Sequence, residues 1–275
     1  MKLININTQY NIKTFLFPDN QPHIMVENIE EGDEVKVVCS LTDANTLLQL
    51  LQCANALDHL FAKKKALYIP YLMGARFDRV MQSGDSFDLQ VIAKMINSCG
   101  FEKVILYDVH SDVATALIRN SVNVSNRFLV ETYTQKDAVL ICPDAGAAKK
   151  IKHYFDWNAN IVDVVYCIKS RDLSNGKITL KVLEPEKCEG RNCVIIDDIC
   201  DGGGTFLAIA NQIKAAHLTL IVTHGIFSKG VEILQQKINQ IITPNSTPPD
   251  PSKGGESQQD DKAHDNFLKI IEIRY

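Results

Sequence analysis

Short apolar runs recur along the chain, each bounded by polar or turn-forming residues. Longer stretches with apolar positions at helical spacing lie between them. VKVVCSL (35–41), ALYIPYL (66–72), KVILYDV (103–109), AVLICPD (138–144), IVDVVYC (161–167), NCVIIDD (192–198) and LTLIVTHGIF (218–227) read as strands. Several are apolar almost throughout, as parallel strands covered on both faces are. DANTLLQLLQCANALDHLFA has a helical apolar stripe behind an Asp that can cap it. DSFDLQVIAKMINSCG closes on Gly100, a residue suited to ending a helix. GAAKKIKHYFDW and GGTFLAIANQIKAAH follow strands directly. This alternation predicts an α/β fold with a mostly parallel sheet flanked by helices. A break near 125–135, NRFLVETYTQK, could join two such halves.

The segment 243–265, TPNSTPPDPSKGGESQQDDKAHD, is rich in Pro, Ser, Gly, Gln and Asp and has little apolar surface to bury. It predicts a disordered loop over about 246–262. NFLKIIEIRY then resumes an alternating pattern that predicts a closing edge strand.

Composition narrows the class. The chain has 275 residues, 45% hydrophobic and 23% charged, with a formal net charge of -4. That balance gives no general attraction for nucleic acid or anionic membrane, so phosphate binding has to be local. No apolar run reaches the ~18 residues that span a bilayer. The opening MKLININTQYNIKTF has asparagines among its apolar positions rather than a signal-peptide core. A cytoplasmic location is expected. Most of the eight cysteines sit in apolar runs, as small buried hydrophobes of a reducing compartment do. Cys188 and Cys193 lack a companion pair at zinc-ligand spacing.

In α/β sheets, ligands bind beyond the carboxyl ends of the strands. Four such ends carry chemistry: Arg76-Phe77-Asp78-Arg79, Asp108-Val109-His110, Asp144, and Asp197-Asp198. The strongest signal is VIIDDICDGGGTFLAIANQI, in which a strand runs into Asp197, Asp198, Asp201, Gly202, Gly203, Gly204 and Thr205 and then into an amphipathic helix. Glycines let the backbone approach an anion, and free N–H groups at a helix start favour phosphate. The Thr205 hydroxyl can donate to a phosphate oxygen. Asp197 and Asp198 can accept from ribose hydroxyls or hold a hydrated Mg²⁺. Neither a P-loop lysine nor the G-x-G-x-x-G dinucleotide pattern is present.

This loop resembles the ribose-5-phosphate loop of the phosphoribosyltransferase fold. From about residue 15 to about 245 the chain resembles the phosphoribosyl pyrophosphate synthetases (ribose-phosphate pyrophosphokinases). FPDNQPHI (17–24) resembles the family's F-S-D-G-E segment, and IPYLMGARFDRV (69–80) its P-Y-x-x-Y-A-R-Q-D-R segment. YDVHS (107–111) is similar to D-L-H-A, and CPDAGA (142–147) to S-P-D-x-G-G.

The resemblance implies two phosphoribosyltransferase-like halves, 1–130 on the ATP side and 131–275 bearing the ribose-phosphate loop. It implies Mg²⁺-dependent transfer of the β,γ-pyrophosphoryl group of ATP to the C1 hydroxyl of ribose 5-phosphate. It sets Phe17, Asp19, Arg76 and Asp78 around ATP, with His110 and Asp144 serving the metal and phosphates. Asp197, Asp198, Asp201 and Gly202 through Thr205 would hold the ribose phosphate. Lys169 and Arg171, in IKSRD, match basic residues of the family's mobile catalytic loop. A homo-oligomer, dimer or hexamer, is implied as well. Lys149 and Lys150 read as a solvated helix face.

The sequence departs from the family at Gln21, Phe77, Ala145, Ala147 and Ser170. It departs most at Gly202 and Gly203, where the family usually has Thr-Ala. That pair predicts a loop opened enough for a ribose with an esterified 5-phosphate, such as ADP-ribose, as an alternative acceptor. A catalytically inactive regulatory paralogue is the third reading, but such a protein should have lost catalytic charges that this chain keeps.

Overall fold

A computed structural model describes residues 1–171, 178–247 and 267–273. They form two compact units. One takes in 1–125 with 246–247, the other 126–245 with 267–273.

The first unit runs β1 (Lys2–Asn5), β2 (Ile12–Leu16), β3 (Pro22–Val26), β4 (Glu34–Val38), α1 (Ala44–His59), β5 (Lys63–Ile69), α2 (Asp88–Ser98), β6 (Val104–Tyr107), α3 (Val113–Leu117) and β7 (Ser121–Val124). Its sheet has the order β1-β4-β5-β6-β7, parallel throughout. β2 and β3 form a separate antiparallel hairpin. Helix α1 shows how the sequence makes these elements. Asp43 accepts from the Thr46 N–H at 2.9 Å and Thr46 Oγ1 accepts from the Asp43 N–H at 3.1 Å, which closes a capping box. Leu47, Leu50, Cys53, Ala54 and Leu57 then line one buried stripe. Each buried leucine is worth about 1.5–3 kcal/mol. At the end of α2, Gly100 takes a φ of +71°, the left-handed turn that stops the helix.

The second unit continues with α4 (Arg127–Tyr133), β8 (Ala138–Cys142), α5 (Ala148–Trp157), β9 (Ile161–Arg171), β10 (Ile178–Val182), β11 (Asn192–Cys200), α6 (Gly204–Ala210), β12 (His217–Gly225), α7 (Glu232–Gln235), β13 (Gln240–Pro244) and β14 (Leu268–Ile271). Its sheet has the order β10-β9-β8-β11-β12-β13-β14. Only β9 and β10 pair antiparallel; β14 lies parallel to β13 at the edge. β8 is buried at every position and β12 at all but its ends, as their unbroken apolar runs require. A buried polar triad adds specificity: Asn126 Nδ2 donates to Thr223 Oγ1 at 2.8 Å, and the Tyr154 hydroxyl donates to Asn126 Oδ1. All eight cysteines are free and buried. Among the described residues no helix is long and apolar enough to cross a membrane.

The structure corrects several expectations. Helix α4 belongs whole to the second unit, so the chain parts at 125/126 rather than at 130/131. The helix after the glycine loop stops at Ala210, well short of the pattern that suggested it. β11 runs on past Asp197 and Asp198 to Cys200, two residues beyond the expected end at 198. Most of the loop expected over 246–262 lies outside the described residues. Its first residue, Ser246, lies in a turn after β13 and is fully buried, its carbonyl accepting a hydrogen bond from Ser40 Oγ, so the chain is held in place at that position.

Candidate active site

Strand order fixes where a ligand can sit. In the second sheet the chain steps from β8 outward to β9, then returns to β8's other side with β11 and steps the opposite way to β12 and β13. The carboxyl ends of β8 and β11 therefore flank a topological switch point, where open α/β sheets bind ligands. β11 also outruns β8: its pairing with β8 ends at Ile195, while its pairing with β12 continues to Cys200. The last turn of β11 thus stands beyond its β8 neighbour, with Asp197 and Asp198 on it.

These acids form a concentrated negative field with Asp144, which follows β8. The Asp198 N–H donates to Asp197 Oδ1 at 2.9 Å. Burial, and then the Asp198 carboxylate, push the Asp197 carboxyl well above its usual range; Asp144 adds to the push. The Cys200 thiol nearby is raised to about 12, by burial first and then by the charges of Asp197 and Asp201. Asp144 uses one oxygen to hold its own turn, accepting from the Ala147 N–H at 3.1 Å. Among the described residues no three His, Cys, Asp or Glu side chains group to hold a metal by themselves.

The glycines that follow have three different surroundings. Gly203 takes a φ of +72°, and a Cβ there would stand 2.7 Å from Leu234 Cδ2. At Gly202 a Cβ would stand 3.3 Å from both Cδ and Cε of Lys229. At Gly204 it would meet nothing within 4 Å, so the open side of the loop is there. The room expected from the Gly202-Gly203 pair is therefore filled by Lys229 and Leu234. Half-buried Thr205 lies in the first turn of α6.

A second loop is laced to the first. The N–H groups of Ile226 and Phe227 both donate to the Cys200 carbonyl, at 2.9 and 3.1 Å, and the Ser228 N–H donates to the Asp201 carbonyl at 3.2 Å. Phe227 has a φ of +47°, and its ring covers Gly225 so closely that no Cβ would fit there. This wall carries Lys229 to the glycine loop.

Lys169 is exposed on β9, opposite Leu180 of β10. Arg171 is the last residue of β9, its backbone paired with Ile178. The two basic residues expected on a mobile loop thus stand on a hairpin strand, and 172–177 lie outside the described residues.

In the first unit, Phe17 and Asp19 occupy the turn between β2 and β3. The Phe17 N–H donates to the Gln21 carbonyl at 2.9 Å, and Asp19 Oδ1 accepts from the Gln21 N–H at 3.1 Å. The Phe17 ring packs edge-on to Phe15, with centroids 5.2 Å apart. Phe17, Pro18, Asp19 and Gln21 line an open depression of about 440 Å³. After β5, Arg76 is exposed, whereas Asp78 is engaged within the protein. Arg79 donates to it twice and Ser111 Oγ once, at 2.7 Å. The Arg79 bonds, then Ser111 and the nearby His110, hold the Asp78 carboxyl down at about 2. His110 itself is exposed.

Of the expected residues, the second unit brings together Asp144, Asp197, Asp198 and the glycine loop; the first unit brings together Asp78 and His110. Phe17 and Asp19 share the hairpin tip. The sequence reading missed Arg79 as the partner of Asp78, and it missed Lys229. The signal for Lys229 was its place in the loop just after the β12 run.

An α/β sheet with a strand-borne acidic pair, a glycine-threonine loop and a switch-point crevice is the architecture of a phosphoribosyltransferase-like fold. Residues 115–245 match the phosphoribosyl transferase domain. The ribose-phosphate pyrophosphokinase of Pyrococcus abyssi is 26% identical over 255 residues, covering 88% of this chain and 86% of that protein. The enzyme of that name from Mycoplasma genitalium is 28% identical over 251 residues, covering 84% of this chain and 74% of that protein. The crystal structure of phosphoribosylpyrophosphate synthetase from Mycobacterium smegmatis shares the fold, with a TM-score of 0.77 over 95% of this chain and 86% of that one at 19% identity. Along most of its length the chain is similar to the ribose-phosphate pyrophosphokinases, and it shares the fold of a phosphoribosylpyrophosphate synthetase.

Proposed function

We propose that the chain transfers the β,γ-pyrophosphoryl group of ATP to the C1 hydroxyl of ribose 5-phosphate, releasing AMP. The observation that carries this reading is the switch-point site: Asp197 and Asp198 on the overrunning end of β11, beside Asp144, continuing into the glycine-threonine loop. The length over which the chain aligns with ribose-phosphate pyrophosphokinases supports it.

The C1 oxygen attacks the β-phosphorus, and the bond from that phosphorus to the α–β bridging oxygen breaks. Such a transfer needs positioning and charge neutralisation more than covalent help from the protein. Asp197 and Asp198 accept from the ribose hydroxyls, and the glycine loop with Thr205 holds the 5-phosphate. Lys169, exposed on its strand, neutralises charge on the departing AMP, a role that Arg171 shares. Phe17 and Asp19 at the hairpin tip, with Arg76, receive the nucleotide, and Asp78 holds Arg79 in place beside it.

Mg²⁺ fits this donor set. Its hard oxygen preference matches the crowded carboxylates, and it is normally held by one or two of them together with substrate phosphates. Asp144 and Asp198 would hold it, and it would neutralise the transferred phosphates. His110, an imidazole beside Asp78, suits contact with a nucleotide phosphate better than with this cation. Self-assembly to a dimer or hexamer belongs to the proposal and is read by sedimentation velocity.

AMP release from ATP is the test, with ribose 5-phosphate, with ADP-ribose and with neither. Release that requires ribose 5-phosphate, with a pyrophosphorylated sugar as co-product, is expected. Faster release with ADP-ribose would move the acceptor to the larger sugar, and no release with either would leave a regulatory protein.

A further inference from the structure

We propose that Lys229 is a specificity residue of the glycine loop, supplying the cationic contact to the phosphate on the acceptor's C5. The inference rests on the reading of that loop as the ribose-phosphate cradle. Three observations lead to it. The Lys229 stem lies along Gly202, with Cδ and Cε each 3.3 Å and Cγ 3.5 Å from where a Cβ would stand. The contact is built, because the loop that bears Lys229 is held to Cys200 and Asp201 by three backbone hydrogen bonds. The residue is exposed, and among the described residues it has no ion-pair partner.

A lysine lays its apolar stem on a surface and keeps its ammonium in water. Here the stem is on the loop, and the ammonium is one bond beyond the carbon that touches it. Gly202 is what lets the stem lie so close. A phosphate on this loop would otherwise face Asp197, Asp198 and Asp201 with neutral donors alone from the glycine loop itself. The Lys229 ammonium offsets those charges, and it favours a phosphate-bearing sugar over the neutral one. The group is thus a phosphate-binding determinant that acts on recognition of the acceptor and not on the transferred phosphates.

Calorimetric binding of ribose 5-phosphate, of ribose and of inorganic phosphate to the wild type, Lys229→Met and Lys229→Arg tests this. Methionine keeps an apolar stem on Gly202 and removes the charge. Lys229→Met should weaken ribose 5-phosphate on the order of ten-fold or more, the scale of a lost charge-assisted hydrogen bond. ATP binding and Tm should be unchanged, Lys229→Arg should recover most of the loss, and added salt should narrow the gap between wild type and Lys229→Met. Equal binding by wild type and Lys229→Met overturns the proposal. If sugar phosphate binds in a Lys229-dependent way but no AMP is released, the pyrophosphokinase reading falls and the Lys229 assignment stands. A wild type that binds no sugar phosphate overturns both.

Discussion

Asp78 is gripped by Arg79 through two parallel hydrogen bonds, Nε to Oδ1 at 2.7 Å and an Nη2 bond to Oδ2 at 3.0 Å. Ser111 Oγ donates to the same Oδ2, so one carboxylate ties the arginine segment after β5 to the turn after β6. The planar guanidinium suits this fork in a way an ammonium does not.

The pH dependence of that tie follows from its charge. The Asp78 carboxyl sits at about 2 in the folded protein, against roughly 3.9 in an unfolded chain. Its contribution is therefore fully present above about pH 4 and is lost as the pH falls toward 2. Asp78→Asn should unfold at lower urea than the wild type at pH 6, and most of the gap between the two midpoints should close by about pH 2.5. A gap as wide at about pH 2.5 as at pH 6 would show that shape rather than charge makes Asp78 stabilising.

Asp197 has the opposite sign. Burial and Asp198 raise its carboxyl, so the folded protein holds its proton over a range where the unfolded chain has released it. The ionised group then costs stability, nothing below the unfolded value near 4 and progressively more as the pH climbs to the raised one. Asp197→Asn should be more stable than the wild type at pH 8, with the difference gone near pH 4, and should lose acceptor binding. A variant less stable at pH 8 would mean that Asp197 is ionised and compensated in the free protein.

Lys169 should act on the chemical step. Lys169→Ala is expected to lower kcat on the order of 100-fold while KM for ATP moves little, as when a donor to developing charge is removed. Rapid-quench measurement of AMP formation separates this from slow product release. An unchanged single-turnover rate would take Lys169 out of the mechanism.

Much of this site was legible because its parts are local. β11, the acidic pair and the glycine loop are contiguous in the chain, and a strand that is apolar before it turns acidic announces itself. The central strands were legible for a similar reason, since burial on both faces leaves no polar position to confuse the pattern, but β13 was missed because its short apolar run ends in the Pro- and Ser-rich stretch that follows. Short, half-exposed β1, β7 and β10, and the hairpin of β2 and β3, carry no such run. The contact of Lys229 with Gly202 was illegible because it depends on the register of β11 with β12, which puts Cys200 opposite Gly225 and so brings two strand-end loops together. Without that register, two glycines read as empty space. The pairing of Asp78 with Ser111 likewise joins loops that follow separate strands.

The three glycines of the loop should respond differently to the same added methyl group, and their order tests the geometry. Gly203 has a φ of +72°, and its Cβ would press on Leu234 Cδ2 at 2.7 Å. Leu234 is 1% exposed and belongs to the core that holds Phe206, Val222 and Ile238, so it has little room to retreat. Gly203→Ala should cost about 1–2 kcal/mol for the left-handed backbone and about 1–3 kcal/mol more for overpacking. Gly202 lacks the positive φ, and its neighbour is a flexible lysine stem at 3.3 Å. Gly202→Ala should move the urea midpoint little and disturb acceptor affinity by displacing Lys229. At Gly204 a Cβ meets nothing, so Gly204→Ala should leave stability intact and raise KM for ribose 5-phosphate, because the open side of the loop is where the phosphate would approach. In a Leu234→Ala background, which carries its own cavity cost, the further loss from Gly203→Ala should shrink to the backbone share. Equal losses at all three positions would mean that the loop does not have this conformation in solution.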